Sequence, residues 1–220
     1  MKTSLFFATR ISGTSSLAER WPLLLVVALA ALVCGQAGCF AGKPIKYYQL
    51  TYPPAVAPAP DAIDTTIIVR PVEASRLYLD DKIVYGFAGP EMGTYQSQRW
   101  AAPPVEILQD SIVRGLRASG RFKAVYTIRS DANGQYLLTG QLYDFKEVDL
   151  NPIVARLNYA VMLRSRKTGD TIWNHIYSHD EPASEKTVAA FVEAMNKNVQ
   201  RSVQEIQSGL EEYFRANPPN

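Results

Sequence analysis

The sequence predicts an α/β fold: a β-sheet containing an antiparallel meander, covered by one helix from the middle of the chain and one long C-terminal helix. Three observations carry this. Val188, Val192, Met195, Val199, Val203, Ile206, Leu210 and Tyr213 recur at intervals of three and four, which marks one face of a helix. Tyr136–Lys146, Ile153–Ser165 and Thr171–Ser178 are strand-length runs joined by short turns, as in a meander. Val105, Leu108, Ile112, Val113 and Leu116 form a second helical stripe between Pro103-Pro104 and Gly120.

Taken in order, Tyr47–Thr51 reads as a short first strand. The stretch TYPPAVAPAPDA then places Pro53, Pro54, Pro58 and Pro60 close together, which no strand ladder tolerates, so it reads as an extended connection. Thr65–Val72 (TTIIVRPV) is a β-branched run whose apolar continuity predicts a central strand, with Pro71 near its end. Short strands are expected at Lys82–Phe87 and Glu91–Tyr95. Proline is tolerated in the first turn of a helix, so the mid-chain helix begins at Pro103-Pro104 and stops at Gly120. Phe122–Ile128 is the next strand, followed by a turn at Asp131–Gly134. In Ile153–Ser165, the set Ala155, Leu157, Tyr159, Val161 and Leu163 faces one side, while Arg156, Asn158, Met162 and Arg164 face the other. The turn Lys167–Asp170 (KTGD) leads into the third meander strand. Ser184 or Thr187 caps the terminal helix, which extends about 45 Å at 1.5 Å per residue. That helix is expected to lie across the sheet, with self-association into a homo-oligomer through a coiled coil as the alternative.

Composition narrows function mainly by exclusion. The 220 residues are 47% hydrophobic and 20% charged, with 23 Lys and Arg against 21 Asp and Glu. A chain so balanced is neither a polybasic nucleic-acid binder nor a charge-driven disordered chain. Two cysteines and two histidines offer no disulfide framework or zinc cage. Arg114, Arg117, Arg121 and Lys123 cluster near the end of the mid-chain helix, where bases favour the helix dipole, so they read as a solvated face.

The amino terminus carries the strongest signal. Trp21–Cys34 (WPLLLVVALAALVC) is an apolar run of 14 residues. Roughly 20 are needed to span a bilayer as a helix, whereas a secretory leader needs fewer. Lys2, Arg10 and Arg20 precede it, and Ala37-Gly38 stand before Cys39, as in a bacterial lipobox. Gln36 replaces the usual leucine, and Cys34 fits less well because bulky Val33 precedes it. Three readings follow: a signal peptide over 1–38 with lipidation at Cys39 and a tether over 39–46; ordinary cleavage after Ala37, leaving a free thiol; or a retained buried helix. The coincidence of leader, small residues and cysteine favours the first. Removing residues 1–38 takes three of the 23 bases and one of the 21 acids, leaving 20 of each and a formally neutral mature chain.

No catalytic constellation stands out. His175 and His179 share a strand face, but four residues along a strand separate them by about 13 Å, too far to share one ion. No GxSxG elbow or phosphate loop is present, so neither cofactor nor metal is expected. Trp100 in QRWAAPP is either a plug of the core or, if exposed, a partner contact.

The order of these segments resembles one family. The lipobox-like cysteine, Tyr47–Leu50 (YYQL), RLYLDDKIVYG at Arg76–Gly86, Arg99-Trp100 before the proline-led helix, the meander and the terminal helix are similar to the ABC-type transport auxiliary lipoproteins, which include paraquat-inducible protein C. The likeness covers residues 39–215 and departs at Gln36, at Tyr85-Gly86 and at Pro104. It implies a domain over 47–220 with a mixed sheet, tethered by lipid, non-catalytic and facing the periplasm. It implies as partners an MCE-domain protein, the associated ABC transporter and the membrane through acyl chains, with no nucleic acid. The cargo of such systems is phospholipids or other hydrophobic molecules. Phe40 after the cysteine, where an aspartate would signal inner-membrane retention, favours the outer membrane. The alternative is an envelope lipoprotein assisting another machine, such as lipopolysaccharide assembly or a Tol-like complex.

Overall fold

The computed structural model describes residues 43–219, apart from 53, 55, 88 and 129–132. Within the folded unit, Pro44–Asn220, the described residues form nine strands and two helices. The strands are β1 (Lys46–Tyr48), β2 (Ile63–Val69), β3 (Glu73–Ala74), β4 (Lys82–Gly86), β5 (Met92–Trp100), β6 (Phe122–Thr127), β7 (Tyr136–Val148), β8 (Val154–Ser165) and β9 (Thr171–Pro182). The helices are α1 (Pro104–Ala118) and α2 (Val188–Ala216).

The long strand β7 is the spine of a mixed sheet. One edge pairs antiparallel with β8, which pairs antiparallel with β9, giving the expected meander. Along its other edge β7 receives β2, β3 and β4 in turn, all parallel. Beyond β2 lies β6, so β2 is interior as its apolar run predicts; beyond β4 lie β5 and then β1.

Both helices pack on the same face. α2 contacts β8, β9 and α1, while α1 contacts β2 and β6. The five alternate β8 residues predicted to face inward, Ala155 to Leu163, are buried. On the open face, Arg156 donates two hydrogen bonds to Asp180 across the β8–β9 ladder, at 2.8 and 2.6 Å, which holds the Asp180 carboxyl below the usual carboxylate range.

Several boundaries differ from expectation for identifiable reasons. β1 starts one residue early and ends at Tyr48, and β2 covers Ile63–Val69 rather than 65–72. β5 continues to Trp100 although Gln96–Arg99 is polar, because it is held between β1 and β4. β9 runs on to Pro182, paired throughout with β8. A two-residue strand, β3, and a 3₁₀ turn at Arg76–Tyr78 were not expected; pieces so short carry no periodicity. Thr187, not Ser184, caps α2, accepting a bond from the Ala190 N–H at 3.1 Å. α1 starts with Pro104 at its first position and ends before Gly120, whose positive φ of 63° turns the chain. The Gly120 carbonyl there accepts from the Ala59 N–H at 2.8 Å, fastening the proline-rich connection to the helix end. Asp131 and Ala132 of the turn expected at Asp131–Gly134 lie outside the described residues.

Candidate functional site

Polar chemistry inside the domain gathers first at the seam between β9 and α2. Alternate β9 residues from Trp173 to Glu181 face a polar stripe on α2 formed by Asn198, Arg201, Glu205 and Gly209. Trp173 lies against Gly209, where an added Cβ would come within 2.8 Å of the ring. His175 stacks on Trp173 at 6.0 Å between ring centroids, and its Nε2 lies 3.2 Å from Glu205 Oε2. Tyr177 donates to Asn198 Oδ1 at 2.5 Å. His179 contacts Arg201, which donates to Glu181 Oε2 at 2.7 Å. The two histidines therefore share a face, as their spacing predicts, but each is tied to its own partner on the helix. Among the described residues no group of three or more His, Cys, Asp or Glu could hold a metal ion.

Trp100 corrects the partner-contact expectation. Its side chain is 0% exposed, packed against Phe145 at 5.4 Å and Phe191 at 5.9 Å. A side chain so enclosed gives a partner no surface, so Trp100 is a plug of the core. The basic cluster in and just after α1 is likewise engaged. Arg114 lies 4.8 Å over the Tyr52 ring, Arg117 donates to the Val125 carbonyl, Arg121 joins Asp61 and Glu211, and Lys123 pairs with Asp64.

A buried carboxyl that sequence reasoning missed sits at the end of β7. Glu147 is 6% exposed; its Oε1 accepts from the Tyr95 hydroxyl at 2.8 Å, and its Oε2 has no hydrogen-bond partner. Burial is the main force pushing this carboxyl up; the Tyr95 hydrogen bond and Lys186 pull it down, and Asp149 pushes it up. Beside it is a pocket of about 440 Å³ lined also by Gln98, Asp149 and Lys186. Lys186 pairs with Asp149 at 2.9 Å. This arrangement can store a proton; it contains no activated nucleophile.

A groove suited to a partner lies beside the crossing of α1 and α2. The helices meet where Gly115 faces Val203, so closely that a Cβ on Gly115 would lie 2.2 Å from Val203 Cγ1. Alongside the contact opens a groove of about 450 Å³ lined by Thr51, Tyr52, Ser111, Val199, Gln204 and Gln207 among others, with no charged side chain in its lining. Thr51 and Asn196 exchange hydrogen bonds of 3.1 and 2.7 Å, which fix one rim to α2. Hydroxyls, amides and apolar walls suit a protein segment or an apolar chain better than an ionic ligand. Cys34 and Cys39 lie outside the described residues.

These features define a two-layered α/β domain in which buried polar groups fasten helix to sheet. Residues 48–207 match the model of a family described as the ABC-type transport auxiliary lipoprotein component, and the chain belongs to that family. Its fold is similar to the crystal structure of a Xanthomonas campestris protein of the DUF330 family, with a TM-score of 0.63 and 21% identity over 74% of this chain and 93% of that one. It is similar also to the crystal structure of an uncharacterised protein, with a TM-score of 0.63 and 13% identity over 76% of this chain and 99% of that one. No curated protein matches the sequence.

Proposed function

We propose that this protein is a lipid-anchored, periplasm-facing adaptor of an MCE-type ABC transport system that moves phospholipids or other hydrophobic molecules across the Gram-negative envelope and supports membrane integrity. In this reading it is no enzyme. Residues 1–38 are its signal peptide, Cys39 carries the acyl chains, and residues 39–46 tether the domain to the outer membrane. The observation that carries it is the family match over residues 48–207 lying directly behind a leader and a lipobox-like cysteine. Each buried CH₂ of an acyl chain contributes about 0.8 kcal/mol, so several chains on Cys39 would hold a neutral domain without help from charge. The uncharged groove between α1 and α2 is the favoured place for a segment of the transporter to dock.

Metabolic labelling with palmitate tests the anchor: the parent chain takes up label and Cys39→Ala does not. Equal label in both would overturn lipidation at this residue. The partner is tested genetically. Deleting this gene and deleting the MCE protein sensitise cells to detergent to the same degree, and the double deletion adds nothing. Additive sensitivity would place the protein in another machine.

A further inference from the structure

We propose that the end of the sheet bearing Phe87, Met92 and Leu150 rests on the lipid bilayer as a second, non-covalent contact beside the acyl anchor. The inference rests on the anchored reading above and adds the orientation of the domain.

The three side chains are brought together by the ladder. Gly86, the last residue of β4, pairs with Met92 at the start of β5 and with Val148 at the end of β7. The Asp149 N–H donates to the Gly86 carbonyl at 2.8 Å, and the Phe87 N–H donates to the Glu91 carbonyl at 3.4 Å. Neighbouring strands lie about 4.8 Å apart, so the tips of three adjacent strands carry these residues at one sheet end. Phe87, Met92 and Leu150 are 49%, 52% and 39% exposed. The opposite end of the meander differs: Arg166 to Asp170 are all exposed and none is a large apolar residue. Hairpin tips ordinarily carry turn-forming and polar residues, so apolar side chains grouped at one end are a surface in want of a partner.

The direction of the chain selects the partner. β1 runs parallel to β5, with Lys46 beside Gln98, so the chain before Lys46 heads toward the Met92 end. Met92 lies six residues before Gln98, about 20 Å along the strand. The seven residues 39–45 reach at most about 25 Å. An acylated Cys39 can therefore enter the same bilayer surface that Met92 touches. To bring the polar turn at 166–170 to that surface, the segment would have to reverse. Ile45, itself 51% exposed, continues the apolar character toward the tether. The two lysines nearest these strand ends are already engaged, Lys186 with Asp149 and Lys146 with Asp144, so the apolar side chains carry the contact.

The full acylated chain in vesicles of phosphatidylcholine and phosphatidylethanolamine provides the test, with the photocrosslinker benzoylphenylalanine placed at Phe87 or, as a control on the open sheet face, at Ile176. Capture of radiolabelled phospholipid at position 87 should exceed that at position 176 several-fold and should survive high salt. Equal capture at the two positions, or none at 87 in protein that floats with the vesicles, overturns the proposal. Protein that does not float at all signals failure of the acyl anchor instead. The same pair of probes on a chain joined through its Cys39 thiol to a maleimide lipid then decides the contact by the same comparison.

Discussion

Asn198 sets the position of the long helix on the sheet. It is fully buried, its Nδ2 donates to the Ala155 carbonyl at 2.8 Å and the His179 carbonyl at 3.0 Å, and its Oδ1 accepts from Tyr177. Replacing it with alanine takes the side-chain donor from two carbonyls in a dry environment and leaves the Tyr177 hydroxyl only the main-chain carbonyl of residue 198, at 3.2 Å. Unsatisfied buried groups cost about 1–3 kcal/mol each, partly relieved by entering water, so Asn198→Ala should lower unfolding free energy by about 2–4 kcal/mol in denaturant titrations. A loss below about 0.5 kcal/mol, the range of ordinary surface substitutions, would show that the three bonds do not hold the helix. Glu147 makes a prediction of a different kind. Burial raises its folded-state pKa, so the native state binds a proton more tightly than the unfolded state. Its contribution is most favourable below the unfolded carboxylate range and is lost as pH rises through the raised value. Glu147→Gln keeps a hydrogen-bond acceptor for Tyr95 and removes that titration. Relative to the parent, the variant should gain stability as pH rises above the ordinary carboxylate range, read in paired denaturation curves. A difference independent of pH would mean Glu147 does not titrate abnormally. Neither residue was visible in the sequence. Asn198 lies between Met195 and Val199, but its polarity hides a buried position, and nothing near Glu147 in the chain announces that β4 and β5 will cover it.

The helices were legible because a helix buries a repeating stripe, and the stripe survives without knowledge of what covers it. Even so, the last residue of the terminal stripe is different from the one expected. Tyr213 is only partly buried, whereas Phe214 is enclosed, packed at 5.0 Å on Tyr136 and 6.4 Å on Phe122. A helix advances 3.6 residues per turn, so steps of three and of four after Leu210 fit the pattern equally well, and only the sheet beneath decides between them. The meander was legible for a similar reason, since short turns force neighbouring strands to pair. The three separate parallel pairings along one edge of β7 were not, because contacts so distant in sequence leave no local pattern. The α1–α2 crossing was equally hidden, and it predicts an unusual response. In most helices Gly→Ala gains up to about 1 kcal/mol. At Gly115 the new methyl would meet stiff, β-branched Val203, so Gly115→Ala should instead lose about 1–3 kcal/mol through overpacking. Adding Val203→Ala should recover part of that loss, and a double-mutant cycle with no coupling would show that the helices do not meet there.

At the scale of the molecule, the proposed reading makes folding and attachment separable. Among the described residues the buried core runs from Leu50 to Phe214. If residues 1–38 are removed as proposed, the basic excess of the chain leaves with them, and the remaining domain has no net charge with which to find a membrane by itself. On the proposed reading, a covalent anchor confines the domain to one surface and raises its effective concentration at a transporter facing the same compartment. Contacts at the groove could then be individually weak and still keep the assembly together. This predicts a dissociation between stability and function. Cys39→Ala should leave the melting temperature of the folded domain unchanged, because it alters none of the described core side chains. Expressed at the native level in the periplasm, it should fail to restore detergent resistance to a deletion strain. Overexpression should rescue it partially, since concentration can stand in for confinement when the docking surface is intact. A groove variant such as Gln204→Arg should behave in the opposite way: anchored and folded, yet not rescued by abundance. Full complementation by Cys39→Ala at native levels would mean that anchoring contributes nothing to the activity, and the adaptor reading would fall.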